Sequence, residues 1–205
     1  MKKFKLTSEF IVDISGVKLF RIKALIEFGN VKAGDLGGYI EKEENLSHMG
    51  NAWVSGNAQV SGDAWVSGNA RVSGDAQVFG DARVSGNAQV FGDAQVSGNA
   101  RVFGNARVSG NAQVSGNARV FGDARVFGNA WVSGDKDYAY AHGFGSCNRT
   151  TTFFRLKDGD VGVRCGCFYG TLAQFRDNVC ETHGETKKAQ EYLMLADLMD
   201  FRFKN

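Results

Sequence analysis

Residues able to do chemistry crowd into the last third of the chain. Cys165 and Cys167, followed by Cys180 and His183, supply three thiols and one imidazole, the ligand types and the number that hold tetrahedral zinc. The Cys-x-Cys spacing is tighter than the usual roughly two to four intervening residues, and both thiols would project from one face of a strand. A thiol beside His142 or His183 is also the minimal pair for covalent catalysis, although nothing in the spacing demands it. A third chemistry is anion capture. Gly143, Gly145, Ser146 and Thr150 to Thr152 offer backbone N–H and hydroxyl donors, Arg149, Arg155 and Arg164 offer fixed charge, and Phe144 or Tyr169 offers a ring on which a base can stack. Ser146, Arg149, Thr150, Thr151, Arg164, Cys165, Cys167 and His183 therefore outline a candidate site for a small anionic, nucleotide-like ligand. It needs no cofactor, with zinc on Cys165, Cys167, Cys180 and His183 as the minority alternative. The plain alternative to all three is a folding cap with buried structural cysteines.

The elements that must position these groups are legible in outline. Phe153 to Lys157 and Val161 to Phe168 flank Asp158-Gly159 and read as a hairpin. Thr171 and Gln174 form a capping box for a helix whose apolar face carries Leu172, Phe175 and Val179 and which Gly184 stops. A second amphipathic helix runs near 186–200 with Tyr192, Leu195, Ala196 and Met199. Residues 136–205 thus read as a ββαα module.

Upstream the chain is a repeat. From Gly50 to Gly134 a glycine falls every six residues, fifteen in all, and Asn or Asp follows each one. Ala comes next in fourteen cases, failing only at Lys136, and Val stands two positions after each Ala. Residues two apart on a strand share a face, so Ala and Val point one way while the intervening residue and the following Ser or Phe point the other. Gly-Asn and Gly-Asp accept the positive φ of a corner. A six-residue unit cannot fold alone and must stack on its copies. The pattern resembles the hexapeptide repeat of left-handed parallel β-helices, and that resemblance implies three hexads per triangular coil. The expected fold is mainly β, a solenoid over 31–135 between an N-terminal hairpin cap over 1–30 and a small C-terminal α+β module. At ~4.8 Å per coil the uniform prism stands only about 22 Å tall.

Three hexads per coil place residues eighteen apart in one column. One column reads Gln59, Gln77, Gln95, Gln113, Trp131; a second Trp65, Arg83, Arg101, Arg119; the third Trp53, Arg71, Gln89, Arg107, Arg125. Stacked arginines repel one another and call for anions, a partner or carboxylates such as Asp63, Asp81 and Asp135. Phe103 and Phe121 lie beside Arg101 and Arg119, so Arg83, Arg101, Arg119, Phe103 and Phe121 form a candidate oligomer or polyanion face. Hexapeptide β-helices commonly form trimers, and the resemblance implies a homotrimer here.

At the start, Phe10 to Ile14 and Val17 to Ile22 flank Ser15-Gly16 as a hairpin. Ile40 and Leu46 are six apart and mark an irregular first coil, but Leu46 to Val54 is eight, so two residues bulge out near His48. The stretch from Gly34 to Leu46, with Gly50-Asn51-Ala52-Trp53-Val54, resembles a family of phage and prophage hexapeptide-repeat proteins uncharacterised in function, some described as polymer-forming or acetyltransferase-like. That resemblance implies a viral setting and no particular reaction.

Charge bounds the partners. Lys+Arg total 24 against 22 Asp+Glu, and the repeat itself is neutral with six Arg and six Asp, which argues against nucleic acid as a partner. No apolar run has membrane-helix length, and the basic start, Met1-Lys2-Lys3-Phe4-Lys5, leads into no signal-peptide core, so a cytoplasmic place (host cytoplasm for a viral protein) and reduced thiols are expected. Acyltransferases of the same architecture resemble one another in using a His in the coils and a loop that breaks the repeat. Here no His lies between His48 and His142. The expectation is a non-enzymatic, oligomeric binding protein of phage type that sequesters a nucleotide-like signal of host defence. A structural or polymer-forming scaffold is the alternative, with an acyltransferase behind it.

Overall fold

The computed structural model describes residues 1–145 and 149–204. Strands β1 (Phe4–Val12) and β2 (Lys18–Ala24) form the N-terminal hairpin, and β3 (Leu36–Ile40) leads into the solenoid. Each hexad then folds as a two-residue strand ending on its Val, fourteen of them from β4 (Trp53–Val54) to β17 (Trp131–Val132). Glycine makes the corners possible. Gly86 has φ +68, and a Cβ there would sit 2.9 Å from the backbone nitrogen of Gly104 in the next coil, so the corners stack only because the side chain is absent. The residue after the corner glycine adds a ladder of its own. Asn51, Asn69, Asn87 and Asn105 each donate from Nδ2 to the next coil at 3.0–3.1 Å, and the run ends on Asp123, which can only accept.

Three parallel sheets form the prism. Arg83, Arg101 and Arg119 pair in register on one, Gln59, Gln77, Gln95, Gln113 and Trp131 on another, and Trp53, Arg71, Gln89, Arg107 and Arg125 on the third. Three hexads therefore make one coil, as the columns require. Inside, the Ala and Val columns from Ala52 to Val132 are buried without a gap. At roughly 1.5–3 kcal/mol for each fully buried Val, this stacked interior is the main favourable term of the fold. The two-residue bulge is where the spacing puts it. Ile40 pairs with Val60 and Leu46 with Val66, each twenty residues on, whereas Val54 pairs with Val72, eighteen on.

The ladder between coils has a direction. The N–H of each coil donates to the carbonyl of the next, as Gln59 does to Ala76 and Arg101 to Ala118, both at 2.9 Å. The first coil therefore ends in unpaired carbonyls and the last in unpaired N–H groups, and each end needs the opposite chemistry. Donors close the first end. The buried Lys3 ammonium reaches Ala52 O at 2.8 Å and Gly50 O at 3.4 Å, and Asn45 Nδ2 donates to Gly62 O and Ala64 O at 3.0 and 2.9 Å. Burial lowers the Lys3 pKa to about 8. Acceptors close the second end. Asp135 Oδ1 takes the N–H of Arg119 at 2.8 Å, Thr152 Oγ1 that of Arg125 at 2.9 Å, and Asp137 Oδ2 those of Ser133 and Gly134 at 2.9 Å.

The C-terminal module has two more strands than the ββαα expectation. β18 (Tyr138–Phe144), β19 (Arg149–Arg155), β20 (Val161–Cys165) and β21 (Phe168–Thr171) form one antiparallel sheet, followed by α1 (Leu172–His183) and α2 (Lys187–Phe203). The glycines at 143 and 145 hid the alternation of β18, in which buried Tyr138 faces the solenoid and Ala139 faces the helices. Thr171 caps α1 with Gln174 in a capping box, and Gly184 ends it, as expected. One face of the sheet packs on the last coil through Tyr138 and Phe154; the other builds a second core with Phe153, Val163, Phe175, Tyr192 and Met199.

Candidate functional site

Strand alternation sorts the predicted site residues onto two faces. On β19, Phe153 and Thr151 face the helices while Phe154 and Thr152 face the solenoid. Thr151 stands opposite Cys165, and Thr152 opposite Arg164. Thr151 is buried, and its hydroxyl donates to Cys165 Sγ at 3.1 Å. Arg164 points the other way. Its guanidinium lies over the Phe127 ring at 5.2 Å and donates to the carbonyls of Cys167 and Phe168 at 3.2 and 3.4 Å. Adjacent strand residues cannot share a face, so Arg164 and Cys165 do not meet in one site.

What does converge is Arg149, Cys165 and His183. They line one cavity of about 160 Å³ with Phe168, Asn178 and Tyr192. His183 ends α1, where its ring stacks on Tyr192 with centroids 5.8 Å apart. Tyr192 is buried in the module core with its ring edge-on to Phe175 at 5.7 Å. Arg149 lies across Gly166, close enough that a Cβ there would come within 2.6 Å of Nη1. A guanidinium and an imidazole lining one cavity with two aromatic rings can hold an anion and stack a flat group.

The remaining predicted residues lie elsewhere. Thr150 Oγ1 is 3.0 Å from His142 Nδ1, at the exposed end of the β18–β19 pair. Cys167 is exposed in the tight turn between β20 and β21 and not on a strand face, and Cys180 is exposed on α1. Cys165, Cys167 and Cys180 are free thiols. Among the described residues no group of three or more His, Cys, Asp or Glu is placed to hold a metal ion, so the zinc set of Cys165, Cys167, Cys180 and His183 is not assembled. Ser146 lies outside the described residues.

On the solenoid, Arg83, Arg101 and Arg119 are exposed and stacked, and none of the six repeat arginines forms a side-chain ion pair among the described residues. Two of the three carboxylates expected to neutralise them are used otherwise: Asp63 pairs with Lys42 at 2.6 Å, and Asp135 caps the Arg119 N–H. Phe103 and Phe121 stack at 5.3 Å, but Tyr138 and Tyr140 meet Phe121 edge-on, so the module already covers one end of this face.

Two features carried no sequence signal strong enough to single them out. One is the donor cap at Lys3 and Asn45. The other is a cavity of about 390 Å³ at the junction of solenoid and module, against Trp131 and Tyr169. The substitution of Trp131 for glutamine in an otherwise uniform column was the only hint.

Seven segments, 58–74, 64–77, 76–92, 94–110, 100–116, 112–126 and 118–134, match the family model described as the YdcK beta solenoid repeat. The similarity coincides with the uniform coils. The chain is a β-solenoid repeat protein. No curated protein matches it. Among the described residues no helix is long and apolar enough to cross a membrane.

Proposed function

We propose that this β-solenoid protein is a non-enzymatic binding protein, in which the solenoid is a rigid stand and the end module captures a small anionic, nucleotide-like ligand. The observation that carries this reading is the convergence of Arg149, Cys165 and His183 on one cavity with Phe168 and Tyr192. The candidate site is smaller than the sequence implied: Arg164 and Cys167 are not part of it. The unpaired column of Arg83, Arg101 and Arg119, with Phe103 beside it, supports self-association, and a closed homotrimer is the proposed assembly. The phage-type resemblance of the stretch from Gly34 to Val54 supports a host-cytoplasmic role in which the ligand is a nucleotide signal of defence.

An end-to-end polymer needs open coil ends, and here donors close one end and acceptors the other. That favours a discrete particle over a filament. The absence of any His between His48 and His142, and the unbroken run of fourteen strands, leave the coils without the base an acyltransferase would need.

Calorimetry with a panel of cyclic and linear nucleotides tests the reading. Saturable heat is expected for the wild type, weakened at least about tenfold by Arg149→Ala and unchanged by Arg164→Ala. No heat across the panel would end the nucleotide proposal. Light scattering separates the assemblies: a fixed trimer mass supports the binding reading, and mass growing with concentration supports the polymer.

A further inference from the structure

The junction cavity lies apart from Arg149 and His183, where the last coil meets the β19–β20 hairpin and β21. It encloses about 390 Å³ and is lined by Gln113, Asn129, Trp131, Lys157, Asp158 and Tyr169, among others. Its two aromatic groups are displayed, not buried: Trp131 is 44% exposed and Tyr169 39%. Tyr169 is also fixed in place. Its ring meets Phe127 edge-on at 5.1 Å, and it lies so close over Gly128 that a Cβ there would come within 2.0 Å of the phenol oxygen. Two large rings at the wall of one cavity make an apolar surface that a ligand can cover.

The polar lining narrows the ligand. Gln113 offers an amide donor and acceptor, Asn129 an Nδ2 donor while its Oδ1 accepts from Asn111 Nδ2 at 3.4 Å, Asp158 offers carboxylate oxygens, and Lys157 offers an ammonium. Among the described residues the Gln113 amide, the Trp131 indole N–H and the Lys157 ammonium have no hydrogen-bond partner, and Asp158 uses one oxygen on the N–H of Asp160 at 3.1 Å. One cation beside one anion gives no net selection for charge, unlike the Arg149 cavity. A solute that fits has a flat face of C–H groups for the aromatic plates and a rim of hydroxyls for amides and carboxylate. C–H groups carry a small positive charge and settle on the negative face of a π-system. Saccharides combine these two features.

The same face of the solenoid extends the argument. Above Trp131 its outward positions are Gln113 with Ser115, Gln95 with Ser97, Gln77 with Phe79 and Gln59 with Ser61. All are uncharged, whereas the other two columns hold the six arginines; the tip of the N-terminal hairpin, Val12 to Ser15, lies against Gln59 and Gln77, so the stretch continuous with the junction is Gln113 and Gln95. A chain lying along this face meets one amide per coil, every ~4.8 Å, a step comparable with one sugar ring. We propose that the Trp131–Tyr169 junction is a binding subsite for a neutral saccharide, with Gln113 and Gln95 as its extension along the coil axis.

Chitohexaose, cellohexaose and maltohexaose, titrated by calorimetry into the full chain, test this. At least one is expected to bind saturably and more tightly than its disaccharide. Trp131→Ala should weaken it at least about tenfold, Asp158→Asn about threefold or more, while Trp131→Tyr stays within about threefold. Trp65→Ala, which removes an exposed indole on the arginine face, and Arg149→Ala should change nothing, which separates this subsite from the anion cavity. Absence of heat from all three hexasaccharides overturns the proposal. So does wild-type affinity in Trp131→Ala, or in Asp158→Asn should Trp131→Ala not fold.

Discussion

The two ends of the solenoid are closed by opposite chemistry. At the first coil the open groups are carbonyls, and the residues that meet them, Lys3 and Asn45, are donors. At the last coil the open groups are N–H, and Asp135, Asp137 and Thr152 are acceptors. Nothing in the repeat itself distinguishes the ends, because every hexad carries the same backbone. The distinction comes from the direction of the ladder, which makes a coil stack polar in the way a helix is. The caps also differ in size. A hairpin and one irregular coil suffice at the first end. At the second, a whole module with its own core supplies the acceptors, and the part of it that is not needed for capping holds the Arg149 cavity. The Thr152 cap and the Arg149 cavity thus lie on opposite faces of one sheet.

Substitutions can break this comparison at each level. The largest effect is expected inside, where the ends do not matter. Val96→Asp buries an unpaired carboxylate in the Val column and should abolish the folded state, read as loss of the cooperative thermal transition by circular dichroism. Its neighbour Gln95→Asp points outward and should stay within about 0.5 kcal/mol of wild type. At the acceptor end, Thr152→Val keeps the shape but leaves the Arg125 N–H unpaired, an expected loss of about 1–3 kcal/mol by denaturant titration. At the donor end, Lys3→Met should cost a similar or smaller amount, because hairpin and first coil can fray without opening the prism.

The donor end also carries a pH signature. Burial holds the Lys3 pKa at about 8, below its ordinary value of 10.5. Between those two pH values the unfolded chain binds more protons than the folded one, so stability from this group increases as pH rises from 8 to 10.5 and is lost again as pH falls back to 8. The slope of unfolding free energy against pH in that window should be more positive in the wild type than in Lys3→Met. Equal slopes would mean that the ammonium is not buried at the first coil.

Periodicity decided how much was legible in the sequence. The columns, the number of hexads per coil and the bulge between Leu46 and Val54 follow from counting sixes, because identical units leave one way to stack. The caps do not. Lys3 acts on Ala52 and Asn45 on Gly62, and a contact across that much chain has no local period. In the module, two helices were readable from their caps and apolar faces, whereas β18 was hidden by glycines in a stretch that otherwise alternates Tyr and Ala. The site was half readable. Arg149, Cys165 and His183, far apart in the chain, line one cavity, but Arg164, which the residue types group with Cys165, is its neighbour on a strand. The rule that sends neighbours to opposite faces was available and decides the matter.

Native-state hydrogen exchange at the two end amides is the most direct test. The N–H groups of Arg119 and Arg125, held by Asp135 and Thr152, should be protected to within about tenfold of Arg101 in the middle of the stack, whose N–H is held by Ala118. Exchange of Arg119 and Arg125 at the rate of an unstructured peptide, with Arg101 still protected, would contradict the claim that the solenoid is closed at its acceptor end.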